Sequence, residues 1–268
     1  MHNMDEINTE AILKKPIFVF SCCNSGSTIL WEALKTHRDL SGPEVEGQDL
    51  EELPDSMKHH LGNATFRLWA HPKFKLCYYK TENDYNLQDK EKIINVYRDN
   101  LIPGTRFITK SPADTLRARL IQSYFPDAHF IAIVRNGYAV SEGIVRKRKL
   151  DLDRPQFKGL YTTIDEAAEQ WFRSNVIIAS HKKFLENYKV IKYEDLIDNS
   201  HDTLLSVLDF CNLSHVDFQV PSFKDNLNYE QISRLSGYDL ETVTRIAQPM
   251  LLHFDYKIIN PNLGWENV

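Results

Sequence analysis

The chain has 268 residues, 42% hydrophobic and 26% charged, the balance of a soluble globular protein large enough for one full core. Its formal net charge of −5 excludes a general affinity for nucleic acid or an anionic membrane, so an anionic ligand would need a local pocket of positive potential. No stretch approaches the roughly 20 apolar residues of a membrane span, and residues 1–15 are polar with no signal-peptide run.

After Pro16, the β-branched and aromatic run Ile17-Phe18-Val19-Phe20 predicts a buried parallel strand. It enters a turn of small residues, Ser21 to Ser27. Thr28 to His37 then reads as a helix with Ile29, Leu30, Ala33 and Leu34 on one side. Residues 44–100 are more polar and less periodic, and are expected to form an insertion over the sheet edge that shapes a cleft. Arg106 to Thr109 predicts a second strand, which turns at Lys110-Ser111-Pro112. Pro112 suits the first helical turn, and Leu116, Leu120 and Tyr124 give that helix its apolar stripe. The chain breaks at Pro126-Asp127 before His129 to Val134, the strongest strand pattern in the sequence. Arg135-Asn136-Gly137 follows, with another helix from about Tyr138. A long helix is expected from Ile164 to Asn187, carrying Trp171, Asn175 and Ile178 on one side, then a strand at Lys189 to Lys192. Strand, turn and helix in repeated order predict one α/β domain over 1–268, a central parallel sheet flanked by helices, with 1–15 a flexible tail.

Two turns carry chemistry. Between strand and helix, Asn24, Ser25, Gly26, Ser27 and Thr28 can converge backbone N–H groups and hydroxyls on a phosphate, helped by the positive end of the helix. An ordinary capped turn has the same composition. The Gly-x-x-x-x-Gly-Lys-Ser/Thr loop of nucleoside triphosphatases is absent, since no lysine follows Gly26. Arg135 falls at the carboxyl end of the best strand, where ligands of open α/β sheets gather, and a guanidinium there can hold a phosphate through two parallel bonds. The run Arg146 to Lys149 lies near the end of the following helix, where a solvated cluster complementing the helix dipole is the bland alternative. Cys22, Cys23, Cys77 and Cys211 form no paired Cys-x-x-Cys knuckle, and the ten histidines show no His-Glu-x-x-His pattern, so free thiols and no metal are expected.

Taken in order, Cys23 to Thr28, Lys110-Ser111-Pro112, Phe125-Pro126-Asp127 through Gly137, and Tyr193-Glu194-Asp195-Leu196 resemble the motifs of sulfotransferases. These enzymes use 3′-phosphoadenosine 5′-phosphosulfate (PAPS), and the chain is similar to their bacterial and tyrosylprotein branch. The resemblance implies a P-loop-like sulfotransferase fold, PAPS as co-substrate without a metal, and a hydroxyl acceptor such as a glycan, a tyrosine or a small alcohol. It implies that Asn24 to Thr28 hold the 5′-phosphosulfate, that Arg135, Ser141 and Arg146 hold the 3′-phosphate, and that Tyr193 borders the nucleotide. Lys110 would stand near the bridging oxygen. Glu46, followed by Gly47-Gln48 as in the bacterial enzymes, ranks ahead of Glu44 as the general base, with His37 in reserve. Residues 44–100 would then lie on the acceptor side, and a cytoplasmic location is expected. The sequence departs from the pattern at three points: Cys23 stands for a proline, Asn24 for a basic residue and Gly143 for a serine. A kinase-like phosphotransferase, or a nucleotide-binding scaffold without catalysis, are the rival readings.

Overall fold

The computed structural model describes residues 13, 15–58, 67–151, 161–223 and 225–260. Five parallel strands form one sheet: β1 (Ile17–Ser21), β2 (Leu40–Ser41), β3 (Arg106–Lys110), β4 (His129–Val134) and β5 (Asn187–Lys192), in the order β2-β3-β1-β4-β5. The strand expected at His129–Val134 has those bounds. The strand at β2 is only two residues long, too short for a pattern to reveal it.

Alternation along β1 divides the core. Phe18 and Phe20 face one side with Phe107, Phe130 and Val134, while Ile17 and Val19 face the other with Ile108, Ile131 and Ile133. The second face is covered by α1 (Ser27–Lys35), through Leu30, Trp31 and Leu34, and by α8 (Ser200–Phe210), beyond the short α7 (Tyr193–Asp198). Against the first face pack Leu50, Leu53 and Met57 with Ile93, Val96 and Tyr97 of α3 (Leu87–Asp99), which follows the one-turn α2 (Lys75–Tyr78). The described residues of 44–100 therefore pack against a sheet face. Helix α3 carries no regular apolar stripe, because its first turns are charged and its three buried residues, Ile93, Val96 and Tyr97, crowd its second half. Leu13 is buried in the same core, and of the other residues expected to form a tail only Lys15 is described.

Pro112–Leu116 is a 3₁₀ turn leading into α4 (Ala118–Tyr124). A third core joins α5 (Gly137–Asp151), α6 (Ile164–His181) and α10 (Gly237–His253) around Tyr138, Trp171, Val243 and Leu251. Beyond Leu196, the last residue of the sequence motifs, the chain adds α8, α10 and the five-residue α9 (Asn228–Ile232). Cys22, Cys23 and Cys211 form no disulfide. No described helix is long and apolar enough to cross a membrane.

Two buried histidines are held neutral by their surroundings. His129 Nδ1 accepts a 2.8 Å bond from the Arg106 guanidinium, and burial followed by that charge lowers its pKa to about 4. His181 Nε2 donates to the Thr115 carbonyl at 2.8 Å, and burial lowers it to about 4 as well. An unfolded histidine titrates near 6.5, so between about pH 6.5 and 4 the unfolded chain binds more protons than the folded one. Stability supported by these rings is complete above that window and is lost as pH falls through it, on the order of a few kcal/mol. Urea unfolding at pH 7 and pH 4.5 should show this loss, and His181→Asn should reduce it by the His181 share while the His129 share remains.

Candidate active site

The carboxyl ends of all five strands lead to one cavity of about 320 Å³, within the range of small-ligand pockets. Cys23 to Ile29 approach it after β1, Glu46 and Gln48 after β2, Lys110 and Pro112 from β3, Arg135 after β4 and Tyr193 after β5. The first crossover leaves β1 toward β2, whereas the later strands continue on the β4 side. The turn after β1 thus lies where the winding reverses, the usual ligand position of such sheets.

That turn is built for close approach. Asn24 and Gly26 both adopt positive φ, 63° and 91°, and Gly26 caps α1. A side chain on Gly26 would come within 2.5 Å of the Tyr193 ring, so glycine lets ring and loop touch. Ser27 Oγ accepts a 3.0 Å bond from Ser21 Oγ. The buried Asn24 Nδ2 and Ser25 Oγ have no protein partner among the described residues. Asn24, Gly26, Ser27 and Thr28 line the cavity, whereas Ser25 is 1% exposed behind the loop.

Arg135 lines the same cavity. It is buried, its guanidinium carbon lies 4.0 Å from the centre of the Tyr193 ring, and Trp171 Nε1 fixes its carbonyl at 2.9 Å. Its Nε donates to Asn228 Oδ1 at 2.8 Å, Nη1 to the Asn24 carbonyl at 3.2 Å, and Nη2 to Gln231 Oε1. All three acceptors are neutral, and no carboxylate lies within ion-pair distance among the described residues. Burial lowers the Arg135 pKa, yet a guanidinium keeps its charge. The loop and the arginine, 111 residues apart, are thus joined by a hydrogen bond at one cavity.

Lys110 is 1% exposed and its ammonium contacts Glu46 Oε1 directly. Gln48 Nε2 donates to Glu46 Oε2 at 2.9 Å, and Ser111 Oγ donates to Gln48 Oε1 at 3.1 Å. The arrangement places a proton acceptor and a cation side by side. Glu44, two residues earlier, points away: its side chain is 92% exposed, pairs with Lys35 at 3.1 Å and does not line the cavity. His37 bonds the Ser214 carbonyl at 2.8 Å, away from the cavity.

Ser141 is fully buried in α5 and does not reach the cavity; its hydroxyl has no partner among the described residues. At Gly143 a side chain would meet Gln231 Nε2 at 3.1 Å and Asn24 Cβ at 3.5 Å, so the space belongs to the Gln231 amide. Arg146 lines the cavity with its Nε held by Glu142 at 3.0 Å. Its neighbour Lys147 also lines the cavity, makes no ion pair among the described residues, and has its pKa lowered by burial and by the charge of Arg67. Arg67, Lys147, Asn228 and Gln231 were not singled out from sequence. Only Lys147 carried a signal, as part of the basic run. Five cations and one carboxylate line the cavity: Arg67, Lys110, Arg135, Arg146 and Lys147 against Glu46. A net-negative chain therefore concentrates positive charge at one pocket. A more open groove of about 540 Å³ beside β5 mixes Lys189 and Lys192 with Asp195 and Asp202 and contains none of the predicted site residues. No group of three or more potential metal ligands occurs among the described residues.

The sequence profile of the sulfotransferase family matches residues 16–217. No curated protein matches the chain by sequence. Among solved structures, the chain resembles the sulfotransferase domain from the curacin biosynthetic pathway, with TM-score 0.55 and 20% identity over 92% of this chain and 99% of that one. Sulfotransferase STF9 from Mycobacterium avium gives TM-score 0.62 at 12% identity, over 96% of this chain and 81% of the other. Sulfotransferase STF1 from Mycobacterium tuberculosis H37Rv gives 0.54 at 17%, over 93% and 79%. These likenesses establish the fold.

Proposed function

The chain belongs to the sulfotransferase family, and from that premise we propose that it transfers the sulfuryl group of PAPS to a hydroxyl acceptor. The observation that carries this reading is the meeting of the Asn24–Thr28 turn with Arg135 at one cation-rich cavity that also holds Glu46 and Lys110. The two anionic ends of the donor require two separate holders, and this cavity offers an amide-and-hydroxyl cradle and a guanidinium that pairs with no carboxylate among the described residues.

In the proposed reaction, the acceptor oxygen attacks sulfur in line as the bond between sulfur and the phosphate oxygen breaks. The protein contributes position and charge stabilisation. Backbone N–H groups of residues 24–28 hold the 5′-phosphosulfate, Arg135 holds the 3′-phosphate, and the Tyr193 ring borders the nucleotide. Glu46 takes the acceptor proton, and adenosine 3′,5′-bisphosphate leaves. Lys110, buried beside Glu46, supplies the positive charge that Asn24 does not bring to its loop. On binding, the sulfuryl oxygens would draw Lys110 from Glu46 and free the carboxylate to act as base.

The test is incubation with ³⁵S-labelled PAPS and a panel of phenol, sugar and alkyl alcohols. Label should pass to an acceptor with release of one adenosine 3′,5′-bisphosphate per transfer. Preference for ATP with phosphate transfer would replace this reading with a phosphotransferase. Tight PAPS binding without turnover across the panel would replace it with a nucleotide-binding protein, the rival to which Asn24 points.

A further inference from the structure

Arg135 is surrounded by more carboxylate than it touches. Glu142 of α5 and Glu194 of α7 each lie one residue away, and an amide from α9 stands between carboxylate and guanidinium in both cases. Gln231 accepts from Arg135 Nη2 through Oε1 and donates through Nε2 to Glu142 Oε2 at 3.1 Å. Asn228 accepts from Arg135 Nε through Oδ1 at 2.8 Å and donates through Nδ2 to Glu194 Oε1 at 2.6 Å. Both carboxylates are anchored elsewhere. Glu142 receives Arg146 at 3.0 Å and Arg234 at 3.4 Å, and Glu194 receives the Asn136 backbone N–H and the Tyr256 hydroxyl, both at 3.0 Å. Gly143 leaves room for the Gln231 amide by carrying no side chain against it.

A neutral amide meets both demands at these two positions, accepting from a cation on one side and donating to an anion on the other, which a carboxylate cannot do. A carboxylate in direct contact would fix the guanidinium equally well but would neutralise it before the ligand arrived. We propose that Gln231 and Asn228 are positioning residues that act as neutral spacers, aiming Arg135 while keeping Glu142 and Glu194 from pairing with it, so that its charge is reserved for the phosphate of the donor. This rests on the functional reading above and assigns to α9, outside the segment matched by the family profile, control of donor affinity.

The exchange Gln231→Glu with Glu142→Gln separates this role from simple packing. It keeps the atoms and the local charge, but moves the carboxylate from the far side of the spacer onto Arg135 and leaves Arg146 and Arg234 facing an amide oxygen. Calorimetric titration with adenosine 3′,5′-bisphosphate and with AMP gives the readout, with circular dichroism melting as the check on folding. We expect the exchanged protein to melt within a few degrees of wild type. Its Kd for the bisphosphate should rise tenfold or more, while that for AMP rises by less than threefold. Wild-type affinity for the bisphosphate in the exchanged protein would overturn the proposal, as would equal losses for both nucleotides. Should the exchange not fold, Asn228→Asp brings a carboxylate to Arg135 at a half-buried position, and unchanged bisphosphate affinity there overturns it too. Failure of wild type itself to bind the bisphosphate would instead remove the functional reading.

Discussion

Arg135→Ala should weaken binding of the 3′-phosphorylated nucleotide by on the order of ten- to a hundredfold, the about 1.5–3 kcal/mol lost with a charge-assisted phosphate contact. The expectation follows from the way the guanidinium is held. Three of its five N–H groups meet neutral oxygens, and its face lies on Tyr193, so orientation is fixed while charge is not spent. Alanine also leaves the Asn228 and Gln231 oxygens and the Asn24 carbonyl without their donor, so some stability is lost as well. Arg135→Lys distinguishes the two effects. It restores a charge but cannot reach three separate acceptors, so its affinity should fall between wild type and alanine. Affinity for AMP, which lacks the 3′-phosphate, should change far less in either variant. Equal loss for both nucleotides would mean that Arg135 serves the fold and not the ligand.

Glu46→Gln should lower kcat by about 10²–10⁴-fold while leaving donor affinity nearly intact. The glutamine is the same size and can still meet Gln48, but it cannot take a proton from the acceptor. It also releases Lys110, a 1% exposed ammonium whose contact with Glu46 is a direct ion pair, and the donor's sulfuryl group is the anion that would then meet it. Donor affinity in Glu46→Gln should therefore be unchanged or modestly tighter. Glu44→Gln is the internal control. That side chain is 92% exposed and bound to Lys35, so turnover should stay at the wild-type level. Unchanged turnover in Glu46→Gln would remove it from the mechanism.

The parts of the site legible in sequence are those that local chain chemistry determines. Phe alternating with Ile17 and Val19 in β1 and the apolar run of β4 fix two neighbouring strands. Small residues after one strand and Arg135 after the other then arrive together because both strands are parallel and end on the same side. Lys110 was legible for the same reason, as the last residue of β3. Glu46 ranks ahead of Glu44 through the Gly47-Gln48 that follows it, and the loop's course gives the physical difference: two residues there reverse a side chain from bulk solvent to the Lys110 ammonium. Ser141 and Gly143 show the reverse problem on a helix, where two residues turn the chain by about 200° at 3.6 residues per turn, and the hydroxyl went to the core. Asn228 and Gln231 were out of reach. They meet Arg135 from 93 and 96 residues away, on a five-residue helix whose short polar sequence carries no sign of its contact.

If one cavity holds a nucleotide by its two phosphorylated ends, a calorimetric titration of the unmodified protein should show it. Adenosine 3′,5′-bisphosphate should bind at one site per chain, at least tenfold more tightly than AMP and more tightly than ATP. Indifference to the 3′-phosphate, or tighter binding of ATP, would contradict the account at its base.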